Sequence, residues 1–339
     1  VETREDVFGL DEQARHYVDE KIGHLGEPEL RKQILVDEII RQATQKLSYE
    51  SDADTTASQT FRNQTANCLS MSIMAYAMAK YLGFETGFQL VDIPEYWERR
   101  DHHSLVARHV NVLLKPEPTL AGLNFGDTVE IDFFAPGSSR EFGSRAISAS
   151  TVLAMFYNNK AVAALIGDNR DAAYAYLRAA LMEDPGLTMA LGNLALLYAR
   201  EGRLQWAEQA YREAARRDPD DTVSREGLAM VLKLTGRRAQ ADAILAKLAH
   251  ERRDNPFFYY VQGEEAYDAG DWDQAIRSFR KAIHLRPDLD RPYFGLAKTY
   301  FRMGERDNAK AYLRRAEHHA DTYEGKRRYR NKIAALSGL

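Results

Sequence analysis

Three residues in the amino-terminal half have side chains suited to nucleophilic acyl transfer: Cys68, His109 and Asp132. Cys68 follows Asn67 and opens the apolar run Cys68–Leu82, which reads as a helix stopped by Gly83. Asn67 is placed to cap that helix. Unpaired amides and the helix dipole at such a terminus favour thiolate over thiol, the form that attacks a carbonyl. A base must then reach the thiol, and a third group must orient the base. His109 lies in an alternating run whose one face reads Leu105, Ala107, His109, Asn111 and Leu113, and Asp132 lies in the run Val129–Phe134. Adjacent strands would set the imidazole beside the carboxylate. The oxyanion would need the Cys68 backbone amide and one further donor, with Gln64, Asn63 and Asn67 as candidates. Each residue also has an ordinary structural use: a cysteine as a small buried hydrophobe, a histidine satisfied within a sheet, an aspartate capping a strand end.

The elements that must position these groups follow from hydrophobic spacing. Leu10, Ala14, Val18 and Ile22 form one helical stripe, and Leu30, Ile34, Leu35, Ile39 and Ile40 a second. A polar stretch, Tyr49–Asn67, leads into the cysteine helix. Strand-like runs follow at Phe84–Ile93, Ser104–Leu114 and Val129–Phe134. The first connection holds Pro94, Tyr96, Trp97, His102 and His103, expected as a mobile loop over the cleft. The second holds Pro116, Pro118, Gly122 and Gly126. His102 and His103 have no partner at helical ligand spacing, so no metal site is expected. Helices first and antiparallel strands after is an α+β order.

The succession of Cys on a helix, His on a hairpin strand and Asp on the strand after it resembles the transglutaminase-like core, with its papain-type Cys-His-Asp arrangement. Asn67-Cys68, His109-Val110 and Ile131-Asp132 carry the resemblance, with Thr56-Ala57, Ala79 and Leu82-Gly83 as supporting text, over about residues 45–136. Two features depart from the family: Ala66-Asn67 replaces a small-residue or glycine entry before the cysteine, and Phe133-Phe134-Ala135-Pro136 stands where Asp-Pro is usual. The resemblance implies an α+β cysteine-protease-like domain and a cysteine-dependent peptidase, amidase or transglutaminase needing no cofactor. In that reading Cys68 is nucleophile, His109 base and Asp132 its orienting group.

The carboxy-terminal half is periodic. Glycines recur at Gly167, Gly202, Gly236, Gly270 and Gly304, spaced by 35, 34, 34 and 34 residues. Five residues after each comes Ala172, Ala207, Ala241, Ala275 or Ala309, then a large apolar residue at Tyr176, Tyr211, Leu245, Phe279 or Leu313. Pro185, Pro219, Pro256 and Pro287 close units. Each unit reads as two amphipathic helices with glycine in the turn and small alanines letting the pair approach. Ala275, Phe279 and Pro287, with Leu194, Tyr198, Leu296 and Tyr300 in first helices, resemble the tetratricopeptide repeat over about residues 153–322. The third unit departs most, with Arg253 where proline belongs. Residues 323–338, with Tyr329, Ile333 and Leu336, read as a solvating end helix, and Lys326, Arg327, Arg328, Arg330 and Lys332 as its wet face. The resemblance implies an all-α solenoid whose groove takes a peptide or protein at Tyr157, Asn158, Asn193, Arg200, Tyr260, Glu264, Tyr267, Lys298 and Arg302.

Composition bounds the rest. The 339 residues suit about two domains, expected as 1–150 and 151–339 with the division near Gly137–Ser150. A mean hydropathy of -0.50 and no long uncharged apolar run leave no transmembrane helix. A formal charge of -4 argues against nucleic acid as partner. One cysteine excludes an internal disulfide and a zinc site built on several thiolates. The start at Val1 points to a removed upstream segment, and an export signal would make the protein secreted or periplasmic, with a lipid anchor as one form. The sequence thus leads to a cysteine-dependent acyl-transfer enzyme whose repeats hold its substrate. A non-catalytic repeat scaffold with an inactive amino-terminal domain is the alternative.

Overall fold

The computed structural model describes residues 1–41, 47–50, 52–100, 103–115, 128–133, 143–320 and 323–337. Among the expectations above, His102, the connection with Pro116, Pro118, Gly122 and Gly126, and Phe134–Pro136 lie outside these residues. The chain divides into two compact units. One comprises Val1–Ile93 with Arg108–Ala246, the other Pro94–Ala107 with Lys247–Leu339.

In the first unit, α1 (Arg4–Phe8) and α2 (Glu12–Val18) run into a short π-helical turn, Asp19–Gly23, followed by α3 (Pro28–Arg41). The first stripe is buried throughout: Leu10, Ala14, Val18 and Ile22 all face the core. The second stripe is buried at Leu35 and Ile39, whereas Leu30 is 41% exposed at the start of its helix. The polar stretch before the cysteine is more ordered than its composition suggests. It forms β1 (Ser48–Tyr49), α4 (Ala57–Asn63) and β2 (Thr65–Ala66), with β1 and β2 pairing in parallel. The signal for α4 is the capping box Thr56-x-x-Gln59, in which Thr56 Oγ1 accepts from the Gln59 amide and Gln59 Oε1 accepts from Thr56 N–H.

Helix α5 (Cys68–Tyr81) is buried on nearly every side, from Leu69 through Ala79. Its polar interruption Ser72 is satisfied because the hydroxyl donates to the Val110 carbonyl at 2.8 Å. Beside it stands a four-stranded sheet in the order β5 (Val129–Ile131), β4 (His103–Leu114), β3 (Thr86–Arg100), β6 (Ser144–Ile147). The β5–β4 and β3–β6 pairs are antiparallel. Two features differ from the sequence reading. Backbone pairing makes Ser144–Ile147 a strand inside what composition reads as a linker. The chain also stays extended through Pro94, Tyr96 and Trp97, where a loop is expected; of these, tyrosine and tryptophan are types that suit a strand.

The repeats begin at α6 (Ala149–Ile166), capped by Ser148, and continue as α7 (Arg170–Glu183), α8 (Thr188–Arg200), α9 (Leu204–Arg217), α10 (Thr222–Leu234) and α11 (Arg238–Arg252). One apolar core runs from Val7 through α5 and the sheet into α6, α7 and α8, so the first repeat buries its face against the amino-terminal elements. The third unit is a helix pair despite Arg253: Ala241 joins Leu228, Ala229 and Val231 in one cluster. Tyr211 fills the step between repeats. A Cβ on Gly227 would lie 2.3 Å from its ring, and burial pushes its phenol up to about 12.

The second unit holds α12 (Pro256–Ala269), α13 (Trp272–Leu285), α14 (Asp290–Arg302), α15 (Arg306–His319) and α16 (Tyr323–Ser337). Phe279 of α13 is fully buried between Gly263 and Gly295. The end helix is anchored by Tyr329, itself fully buried, whose hydroxyl donates to Asp290 Oδ2 at 2.8 Å. Arg330 on its wet face pairs with Glu317.

Candidate functional site

Strand register brings His109 and Asp132 together. Pairing of Val112 with Ile131 and Leu113 with Glu130, continued one step, sets Asp132 opposite Asn111 and diagonal to His109 on the same face. His109 Nε2 lies 2.7 Å from Asp132 Oδ1, with the two side chains only 5% and 4% exposed. The next diagonal repeats the arrangement, since Asn111 Nδ2 donates to Glu130 Oε1 at 2.5 Å. The alternate residues Val110, Val112 and Leu114 are fully buried in the core. A two-residue period therefore separates a polar face carrying His109 from an apolar face that holds the sheet down.

Cys68 is the first residue of α5 and is partly exposed. Asn67 has extended backbone and caps the helix, its Oδ1 accepting from the Ser70 amide at 2.9 Å. Its Nδ2 donates to Asp54 Oδ1 at 2.6 Å. The cap expected of Asn67 is made by its side chain. The Ser72–Val110 bond lies one helical turn beyond Cys68 and one residue from His109, tying the helix that bears the thiol to the strand that bears the imidazole. On the other side of His109, Arg108 pairs with Asp218 at the end of α9 at 3.3 Å.

Gln64 ends α4 with φ 59 and ψ 22, a left-handed conformation that costs a non-glycine residue about 1 kcal/mol. Gln64→Gly should therefore raise stability by roughly that amount. Thermal unfolding reads it as a higher midpoint, and a lower one would show that the glutamine side chain holds the turn.

The expected groove positions divide between packing and pairing along first helices. Tyr157 and Asn158 are buried, the tyrosine donating to the Glu2 carbonyl at 2.5 Å. Asn193 Nδ2 donates to Asn158 Oδ1 at 2.8 Å, and Arg200 donates to the Leu165 carbonyl at 2.7 Å, each pair 35 residues apart. In the second unit Lys298 pairs with Glu264, 34 residues earlier, and its ammonium stands 4.2 Å from the centre of the Tyr267 ring. Tyr260 leans on Phe279, and Arg302 lies 6.0 Å from Trp272. The repeat period thus puts equivalent positions of neighbouring first helices in contact. A cavity of about 460 Å³ lies elsewhere, between α3 and Val129, with none of the sequence-predicted site residues in its lining. Among the described residues no cluster of His, Cys, Asp or Glu could hold a metal ion, and no helix is long and apolar enough to cross a membrane.

The helix pairs are tetratricopeptide repeats, and a helix-and-sheet portion precedes them. Family models for the tetratricopeptide repeat match residues 155–222 and 293–322, and one for the TPR repeat matches 263–304. These ranges flank 223–262, where the third unit departs from the pattern. The cellulose synthase operon protein C of Pseudomonas fluorescens (strain SBW25) is 29% identical over 138 residues, 38% of this chain, which spans only 11% of that relative's length. Among solved structures, the thermophilic TPR protein TTC0263 of Thermus thermophilus is 22% identical, with 55% of this chain and all of that one covered at a TM-score of 0.32. YrrB, described as a TPR protein with an unusual peptide-binding site, is 17% identical, with 52% and 92% covered at 0.28. MamA from Desulfovibrio magneticus RS-1 is 17% identical, with 48% and 92% covered at 0.28. The family-model matches fall on the repeats, and none of them shows a transglutaminase-like domain in the amino-terminal half.

Proposed function

We propose that the chain is a protein-interaction scaffold whose tetratricopeptide repeats take a peptide segment of a partner protein. The observation that carries this reading is the recurrence of repeat-family matches on helix pairs whose first helices align polar side chains at one-repeat intervals. A ligand laid across such a face meets many modest contacts, of which a few carry most of the affinity. The test is binding of a fluorescent peptide array to the whole chain, followed by anisotropy with the best ligand. Exchanging charges at Glu264 and Lys298 singly should weaken binding while the double exchange, Glu264→Lys with Lys298→Glu, keeps the protein folded. Ligands indifferent to substitution at Asn193, Arg200, Glu264 and Lys298 alike would remove the groove from the proposal.

A second reading is favoured by one specific observation, the buried His109–Asp132 hydrogen bond. Here the protein is a cysteine-dependent acyl-transfer enzyme acting on the segment that the repeats hold. Asp132 occupies Nε2, so proton transfer falls to Nδ1 of His109. The Cys68 sulfur bonds to an amide carbonyl carbon as Nδ1 takes the thiol proton. That proton passes to the leaving nitrogen as the C–N bond breaks, giving a thioester and a free amine. Water, losing its proton to His109, then cleaves the thioester in a peptidase or amidase, and a second amine does so in a transglutaminase. The Cys68 amide at the helix start, with Gln64 beside it in sequence, supplies the candidate oxyanion donors.

A further inference from the structure

A buried carboxylate that neither reading uses stands between the cysteine helix and the first repeat. Asp54 is 6% exposed and lies in the segment before α4. Its Oδ1 accepts two amide N–H groups from different elements: Asn67 Nδ2 at 2.6 Å and Asn159 Nδ2 of α6 at 3.0 Å. Lys160, next along α6, donates to the Asp54 backbone carbonyl at 3.3 Å. The neighbouring main chain is fastened to the first turn of α5 as well. Ser70 Oγ donates to the Ala53 carbonyl and accepts from the Thr55 amide, both at 2.9 Å.

Burying a carboxylate is costly unless hydrogen bonds replace its water. Packing alone would be served by an apolar side chain at this position. What an apolar side chain lacks, and a carboxylate oxygen supplies, is an acceptor that two donors can share. One of those donors is the side chain that caps the Cys68 helix, and the other belongs to the first repeat. The cap decides whether the helix amides near Cys68 are held in place, and the helix terminus in turn stabilises a thiolate there.

We propose that Asp54 is a positioning residue through which Asn159 of the first repeat helix fixes Asn67, and thereby sets the reactivity of Cys68. The proposal rests on the acyl-transfer reading for its purpose but is measured on the thiol itself. Nothing in the amino-terminal sequence pattern announces it, because Asn159 is 91 residues from Cys68.

The experiment uses the full chain and the rate of iodoacetamide labelling as a function of pH. Asn159→Ala leaves Asp54 in place but removes its anchor. Labelling at neutral pH should slow roughly two- to five-fold, the weight of a helix-terminus interaction, and its pH profile should move upward. Asn159→Ser, which keeps a donor, should restore most of the rate. In the exchange Asp54→Asn with Asn159→Asp, the new amide still accepts from Asn67 and donates to the new carboxylate, so labelling should return towards wild type. Wild-type rate and profile in Asn159→Ala, with the same melting temperature, would overturn the proposal. A folded exchange variant no better than Asn159→Ala would do the same. His109→Ala is run beside them: if it alone labels like wild type, the acyl-transfer reading fails while slowed labelling in Asn159→Ala still supports Asp54 as the positioning residue.

Discussion

Phe279→Ala should lower stability by about 3–5 kcal/mol, the largest structural effect expected in the chain. Phe279 is fully buried, and its ring lies between the helix backbones at Gly263 and Gly295 as well as against side chains such as Tyr260. A Cβ built on Gly263 would come within 2.6 Å of the ring, and one on Gly295 within 2.5 Å. The cavity left by alanine therefore has helix walls on both sides, which limits collapse and puts the cost at the high end for its chemistry. Guanidinium unfolding followed by circular dichroism measures the loss. Because repeats contact mainly their neighbours, the signal should separate as an earlier transition confined to part of the helical amplitude. The converse substitution, Gly295→Ala, should cost about 1–3 kcal/mol through overpacking against the same ring. A change below about 1 kcal/mol in Phe279→Ala would mean that this step is not a point of close packing.

The second large effect concerns the thiol. An unassisted cysteine is only a few per cent thiolate at neutral pH, whereas a histidine-paired one is largely ionised. His109→Ala should therefore slow iodoacetamide labelling of Cys68 by about tenfold near neutral pH, less at alkaline pH where the thiol ionises unaided. Asp132→Asn should fall between, because the imidazole remains but loses the carboxylate that orients it and stabilises its charged form. The chain has a single cysteine, so the mass of the labelled protein reports this site alone. Slow labelling that ignores both substitutions would leave the scaffold reading by itself, with the His109–Asp132 bond as a structural contact inside the sheet.

The two halves of the molecule differ in how much their sequence discloses. In the repeats, Gly202, Gly236, Gly270 and Gly304 take positive φ in their turns, and Ala207, Ala241, Ala275 and Ala309 are fully buried where helices meet. A period of one repeat fixes both, since each unit solves the same packing problem with the same residue types. The first unit is less legible. Helix α4 is seven residues long, too short for periodicity to register, and only its capping box betrays it. Ser144–Ile147 is exposed over its first three residues and offers only Ile147 to the core, so it becomes a strand mainly through backbone pairing with Phe88–Val91.

The candidate site divides along the same line. Residue types and local order marked Cys68, His109 and Asp132, and local rules placed Asn67 as a cap, because capping and strand alternation act over a few residues. The sequence by itself determined the repeat pairs, the cysteine helix and the strand alternation that sets His109 apart from Val110. Only the tertiary structure decided that His109 Nε2 meets Asp132 Oδ1, because that depends on the register between strands joined by a long connection. It alone also decided that Asp54 joins Asn67 to Asn159, and that the first repeat shares the amino-terminal core. Such contacts are settled by which buried polar groups find partners and which apolar faces meet on folding, and neither is a property of any short stretch of chain.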